Sequence, residues 1–373
     1  MDMEFNEEQQ MLADMAEKYL HENYDFDARQ ASVRANAGFS PEQWSAFAEM
    51  GWLAATLPEA AGGFEAGAMG LVALCEPMGK HMVTEPFLES AVTCASILAQ
   101  VGTAAAIERL QAMGEGRLTG ALAVAELFRQ PSWNNTYVWG RPHGSGYMLQ
   151  GDKTVVLNGA RADFFIVTAK TWGASRALFV VDANHPGVKR KACTTWDGRN
   201  AANVRFDKVY LEADALIAQS KVARDVLKNA YLTSVIAAGA EAVGAMKALL
   251  DATVDYTKQR VQYGQRLADF QVLRHKMVDM LVQVEQTRSL LLAAAAASDA
   301  GADDAQRLIT ALKIKAASAG RFVAQNAVQL HGGIATTDDL NVGHYLKRLT
   351  ALESWPMSRD AFVEHYIDLV RSA

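Results

Sequence analysis

An α+β multidomain fold, helical at both ends with a β domain between, is what the sequence predicts, and three changes of periodicity predict it. Over roughly the first hundred residues apolar side chains recur at helical spacing without a strand signal. Between about residues 120 and 218 short β-branched and aromatic runs alternate with turn residues. Helical periodicity resumes near Val222 and continues to the end. The division reads as an N-terminal α-helical domain over 1–118, a middle β domain over 119–218 and a C-terminal α-helical domain over 219–373.

Taken in order, Asn6 followed by Glu7, Glu8 and Gln9 is a capping box with acids in the first turn, and Leu12, Met15, Ala16, Tyr19 and Leu20 follow at helical spacing. Ser40-Pro41 opens a second helix, which closes around Met50-Gly51. Leu57-Pro58-Glu59-Ala60-Ala61-Gly62-Gly63 is a glycine-rich turn leading into a helix over about 66–79, and an interruption is expected at Glu85-Pro86. In the middle region, 147–150 and 153–157 read as two strands joined by a turn at Gly151-Asp152; 164–168, 177–181 and 204–210 are further strands. In the last region Leu273, Met277, Met280, Leu281 and Val284 mark one buried helix face. The alanines at 293–297 belong to a closely packed helix, because alanine has the highest helix propensity and allows near approach.

Composition narrows the classes of function. Net charge is −6, with both signs interspersed, so no polyanion-binding face is indicated and nucleic acid is not an expected partner. Cys75, Cys94 and Cys193 are odd in number and widely spaced, which indicates neither a disulfide framework nor a zinc site. The acidic N-terminus does not resemble a targeting segment, and no apolar run approaches the ~20 residues of a membrane span. A soluble, cytoplasmic protein without a membrane partner is expected.

Two stretches carry the chemistry. Lys258 to Gln271 places cations, amides and aromatic rings at a glycine-marked break between helices, and an arginine there can grip a phosphate bidentately. Gln329-Leu330-His331-Gly332-Gly333-Ile334-Ala335 puts adjacent glycines where a helix stops, a place where backbone N–H groups can approach another molecule. The pair R-x-x-Y-G-x-x-L-x-x-F-Q and Q-L-H-G-G-I-A resembles the acyl-CoA dehydrogenase family, most nearly its heteromeric small-subunit type known from pimeloyl-CoA dehydrogenase. Pro58-Glu59 to Gly62-Gly63 resembles that family's P-E-x-x-G-G turn. The resemblance implies a middle β-barrel or sandwich, a C-terminal four-helix bundle, and an FAD shared across a subunit interface. It assigns FAD binding to Arg260, Gln262, Tyr263, Phe270, Gln271, Gln329, Leu330, Gly332 and Gly333.

The same resemblance shows what has changed. The family's usual base, a glutamate after the Gly-Gly pair, falls on Pro356, and the alternative location on the preceding helix falls on Ser234. Glu353 and Glu241 are the substitutes in reach, although a salt-bridged helix glutamate is the commoner role for either. The flavin-ring loop, T-E-P-x-A-G-S-D in the family, reads Ala125-Glu126-Leu127-Phe128-Arg129-Gln130-Pro131-Ser132, and W-I-T-N reads Val155-Val156-Leu157-Asn158, taken as a buried strand. His331 is expected to pack or hydrogen-bond rather than transfer protons, and Trp133, Trp139, Trp172 and Trp196 to be loop aromatics or the lining of a groove.

The expectation is therefore a non-catalytic half-site subunit of an FAD-dependent acyl-CoA dehydrogenase. It would pair with a related catalytic chain as α2β2, act on an acyl-CoA and pass electrons to an electron-transfer flavoprotein. A self-sufficient homo-oligomer with a relocated base, and a scaffold without flavin that binds acyl-CoA or a protein, are the alternatives.

Overall fold

The computed structural model describes residues 4–127 and 136–372. Helices come first: α1 (Glu7–Asn23), α2 (Phe26–Asn36), α3 (Pro41–Glu49), α4 (Gly67–Lys80), a π-helical turn (Phe87–Cys94), α5 (Ala95–Val101) and α6 (Ala104–Gly114). Strands follow: β1 (Gly120–Ala123), β2 (Trp139–His143), β3 (Gly146–Leu157), β4 (Phe164–Thr171), β5 (Ala174–Asp182), β6 (Val188–Thr194), β7 (Asn200–Leu211) and β8 (Leu216–Gln219). The remainder is α7 (Ser220–Gln259), a two-stranded hairpin of β9 (Val261–Gln262) and β10 (Gln265–Arg266), then α8 (Gln271–Asp299), α9 (Ala305–His331), α10 (Val342–Ser354) and α11 (Arg359–Ser372). The predicted capping box is present: the Gln9 N–H donates to Asn6 Oδ1 at 2.8 Å and the Asn6 N–H to Gln9 Oε1 at 3.1 Å.

Contacts divide the chain into two compact units, residues 30–66 with 84–234, and residues 1–29 with 67–83 and 235–373. In the first, the strands run in the order β6-β7-β3-β2-β4-β5-β8, with β1 parallel to β4. A single parallel pairing, Trp139 with Lys170, joins β2 to β4, so the sheet behaves as two halves. The halves meet face to face where Phe165 stands edge-on to Phe206 and Tyr147 to Phe179. Of the two architectures implied, sandwich describes this arrangement; no pairing among the described residues closes a barrel. What the sequence read as strand, turn and strand at Gly151-Asp152 is one strand, β3, whose register against β7 shifts at two bulges. Extra residues at a bulge imitate the polarity of a turn.

In the second unit α1 packs on α4, α4 on α8, α8 along α9, and α9 against α10 and α11. The approach of α4 to α7 requires glycine: a Cβ on Gly79 would lie 1.9 Å from the Glu241 carbonyl oxygen, and one on Gly244 1.8 Å from that of Glu76. The buried face of α8 carries Met277, Met280, Val284, Thr287 and Leu291, while Leu281 is exposed, against the sequence expectation. One residue beyond Met280 is a turn of about 100°, which carries Leu281 to the flank. The sequence also underrated α7, which is long and apolar enough by composition to cross a membrane; 78% of its most apolar stretch is buried, as in a core helix.

Candidate functional site

The first motif segment is built by the end of α7. The Arg260 N–H closes the last helical bond, to the Tyr256 carbonyl at 2.9 Å, and the chain then turns back through β9 and β10. Both residues of the connection have positive φ, Tyr263 at 54° and Gly264 at 79°, which is the two-residue turn whose twist matches a hairpin. Sequence reasoning took this stretch for a simple break between helices. The turn holds Tyr263 out at 93% exposure, with its ring edge-on to Phe270. The Leu267 N–H bonds the Arg260 carbonyl at 2.9 Å and fixes the other side of the loop. Arg260, Gln262 and Gln271 are exposed; Arg266 pairs with Asp269, whereas among the described residues no carboxylate lies at salt-bridge distance from Arg260.

The second segment is the end of α9. Leu330 is buried, so its side chain belongs to the core and not to a surface ligand site, unlike Gln329, Gly332 and Gly333, which are exposed. Gly332 has φ 72° and ψ −153°, a region essentially reserved for glycine, and its N–H caps the helix on the Val328 carbonyl. A Cβ at Gly332 or Gly333 would meet nothing within 4 Å, so the backbone there is open to an approaching molecule.

His331 ties the two segments together. Its ring stacks on Tyr256 with centroids 4.4 Å apart, and the Tyr256 hydroxyl donates to the His331 carbonyl at 3.2 Å. His331 Nδ1 lies 2.9 Å from the Ala327 carbonyl; burial lowers its pKa below the ordinary imidazole value despite that bond. Packing and hydrogen bonding account for this histidine.

The base positions look different. Ser234 is fully buried, donates to the Ala230 carbonyl at 2.7 Å and shares a 2.7 Å hydrogen bond with Thr93. Pro356 is buried just beyond α10. Glu241 is buried with both carboxylate oxygens held by Arg348, from Nε at 2.5 Å and Nη2 at 2.8 Å. Glu353 is engaged by Arg321, Nε donating at 3.1 Å and Nη2 making a second bond. Both substitute carboxylates are thus ion-paired.

Sequence reasoning missed Lys313, which lies on the apolar stripe of α9 between Ile309 and Ala316. It donates to the carbonyls of Leu352, Glu353 and Trp355 at 2.6, 3.0 and 2.7 Å, closing the end of α10. Burial pushes this amine down to about 7, against the pull of Glu353. A lysine inside an apolar helical stripe was the available signal.

In the β-rich unit, Phe128 to Ser132 of the altered flavin loop, and Trp133, lie outside the described residues. Glu126, at the loop's start, accepts from buried Lys153 at 2.7 Å, from the Thr136 hydroxyl at 2.8 Å and from the Tyr137 N–H. Burial pushes Lys153 down to about 8 despite Glu126, whereas burial of the Glu126 carboxyl is outweighed by Lys153 and its own hydrogen bonds, which lower it. Val155 is not part of a buried strand as expected: it is 52% exposed, with φ 46°, at the second bulge of β3. Val156 alone of the three apolar residues is buried, and Leu157 is half-buried. Asn158 survives for a backbone reason, since it sits at φ 60° with Nδ2 donating to the Gly120 carbonyl at 3.1 Å. Trp139, Trp172 and Trp196 are exposed, and Lys170 lies over the Tyr137 and Trp139 rings. Among the described residues no group of His, Cys, Asp and Glu is arranged to hold a metal ion.

The profile for the acyl-CoA dehydrogenase N-terminal domain matches residues 6–117, and that for the acyl-CoA dehydrogenase C-terminal domain matches residues 227–355. The chain is similar to acyl-CoA dehydrogenase FadE27 of Mycobacterium tuberculosis, 28% identical over 82% of each chain. Its structure is similar to the Tcur3481-Tcur3483 steroid ACAD, with a TM-score of 0.88, 26% identity and 98% of each chain covered. It also shares its fold with a chain of the ChsE4-ChsE5 complex from Mycobacterium tuberculosis, TM-score 0.90, 24% identical over the whole of both chains.

Proposed function

We infer, from the premise that the chain belongs to the acyl-CoA dehydrogenase family, that it is the half-site subunit of a heteromeric acyl-CoA dehydrogenase. Members of the family are FAD-dependent oxidoreductases. In this reading Arg260, Gln262, Tyr263, Phe270, Gln271, Gln329, Gly332 and Gly333 hold the adenosine-pyrophosphate end of an FAD whose ring lies in a related partner chain. The donor set suits that group: an exposed guanidinium with no carboxylate partner among the described residues, exposed amides, and a glycine backbone open to approach. Bound FAD supplies the hydride acceptor for α,β-desaturation of an acyl-CoA thioester. This chain's own residues bind and orient it.

The observation that carries the reading is an asymmetry. The residues given to the nucleotide are exposed, apart from half-buried Phe270, and their two segments are joined by the Tyr256–His331 contact, whereas the positions of the base hold Pro356 and buried Ser234. Glu241 and Glu353, the nearest substitutes, already neutralise Arg348 and Arg321. A carboxylate held by a guanidinium is a poor general base, because the charged form it must give up is the one the pair stabilises. The likeness to Tcur3481-Tcur3483, a steroid ACAD named for a pair, supports a paired chain. An α2β2 assembly, an electron-transfer flavoprotein as electron acceptor and a cytoplasmic setting complete the proposal.

The test is the visible spectrum of the chain purified alone and after co-expression with a related dehydrogenase chain, with FAD quantified. A colourless chain alone and a single FAD per pair of chains is the expected result. Full flavin loading of the chain alone overturns the reading. In the active complex, Glu353→Gln and Glu241→Gln are expected to leave the pH dependence of turnover unchanged, since neither is the base.

A further inference from the structure

The two halves of the proposed nucleotide grip come from helices far apart in sequence, and one side chain bridges them. Tyr256 lies one helical turn before Arg260, and its carbonyl receives the Arg260 N–H at 2.9 Å. Its ring stacks on His331 at 4.4 Å and 26°, and its hydroxyl donates to the His331 carbonyl at 3.2 Å. That carbonyl belongs to the same peptide group as the Gly332 N–H, which is bonded on its other side to the Val328 carbonyl. The plane of the peptide is therefore held at both edges. Beyond it the chain takes the glycine-only conformation at φ 72° and passes straight into a short 3-10 helix, Gly332–Thr336, so the direction of that helix depends on how this peptide is set. The imidazole is fixed in turn by Nδ1 on the Ala327 carbonyl, so the surface on which Tyr256 stacks does not rotate.

We propose that Tyr256 is a positioning residue for nucleotide binding: through its stack on His331 and its hydrogen bond to the His331 carbonyl, it sets the Gly332-Gly333 backbone in register with Arg260. The inference rests on the adenosine-pyrophosphate reading above and adds a residue that no ligand need touch. Free, a Gly-Gly turn samples many directions, and ordering it on binding weakens affinity; a turn already ordered by Tyr256 avoids that loss.

The experiment measures ADP and adenosine binding to the full chain by calorimetry, for the native protein and the variants Tyr256→Phe, Tyr256→Leu and Arg260→Ala. Tyr256→Phe keeps the ring stack and removes only the hydroxyl. It is expected to weaken ADP about 3- to 10-fold, the range of one hydrogen bond, with adenosine affinity and melting temperature kept. Tyr256→Leu is expected to weaken ADP further, and Arg260→Ala most of all. Selective loss of the diphosphate is the signature of positioning, because a merely destabilised fold would lose both ligands together. If Arg260→Ala loses ADP while both Tyr256 variants bind it as the native chain does, the positioning role is wrong and the nucleotide reading stands. If Arg260→Ala binds ADP as well as the native chain, the nucleotide reading fails, and the role assigned to Tyr256 fails with it. Should Tyr256→Leu not fold, Tyr256→Phe decides alone.

Discussion

Val155 holds a conformation that its side chain opposes. A β-branched residue at φ 46° brings its Cγ atoms against the neighbouring peptides, and the main compensation in view is the bond from its N–H to Asn203 Oδ1 at 3.0 Å. Replacement by asparagine, which tolerates left-handed backbone, is expected to raise stability by about 1 kcal/mol. Urea denaturation of Val155→Asn reads the change, and a lower midpoint would show that the valine side chain has a packing partner worth more than the strain. His331 offers a second test at this scale. Its pKa in the fold is below the unfolded value of 6.5 because burial disfavours the imidazolium. The unfolded chain therefore binds more protons below that pH, so the stability contributed by the neutral ring is present above 6.5 and is lost as pH falls. His331→Gln should flatten the dependence of the urea midpoint between pH 7 and 5; an unchanged slope assigns it to other groups. None of this was legible in the sequence, since residue-level strain and burial depend on neighbours that only the fold supplies.

At the scale of elements, α7 and α10 are locked by one buried ion pair, Glu241 with Arg348. Removing one partner leaves an uncompensated charge in the interior, so Arg348→Met is expected to cost about 3–5 kcal/mol, and Glu241→Leu with Arg348→Met together much less. Calorimetric melting of the single and double variants checks it. If the double variant is as unstable as the single, the pair contributes through its hydrogen-bonded geometry and not through balanced charge. Elements were also where the sequence was most readable. The capping box at Asn6, the helix start at Pro41 and the strands at 164–168 and 177–181 rest on local chemistry that needs no tertiary partner. The β9–β10 hairpin was not readable, because Val261-Gln262-Tyr263-Gly264 shows too little alternation to separate two-residue strands from a loop. β3 was divided for a related reason: Gly151 carries the signature of a turn, but its neighbours pair on with β7 through the bulge.

At the scale of the whole molecule, the misassigned face of α8 is the informative error. Leu281 was placed in the core because an apolar residue at helical spacing usually belongs there, yet Val272, Val278, Leu281 and Val282 are all exposed on that helix. Val278, Leu281 and Val282, at i, i+3 and i+4 spacing, form one exposed apolar patch, the kind of face that the partner chain proposed above would cover. The patch begins about two turns after Gln271, one of the residues given to the nucleotide grip, so a partner seated on α8 would lie near the site it is proposed to complete. Two glutamates, Val278→Glu and Val282→Glu, placed on this face bury charge only if the face is covered. They are expected to split the assembly with the related chain, seen as a fall in mass by light scattering, and to release FAD from it, while the circular dichroism and melting of the separated chain stay as in the native protein. An assembly of unchanged mass that still retains its flavin would mean that the α8 face is solvent-exposed in the complex, and the contact that completes the nucleotide site would have to be sought on another surface.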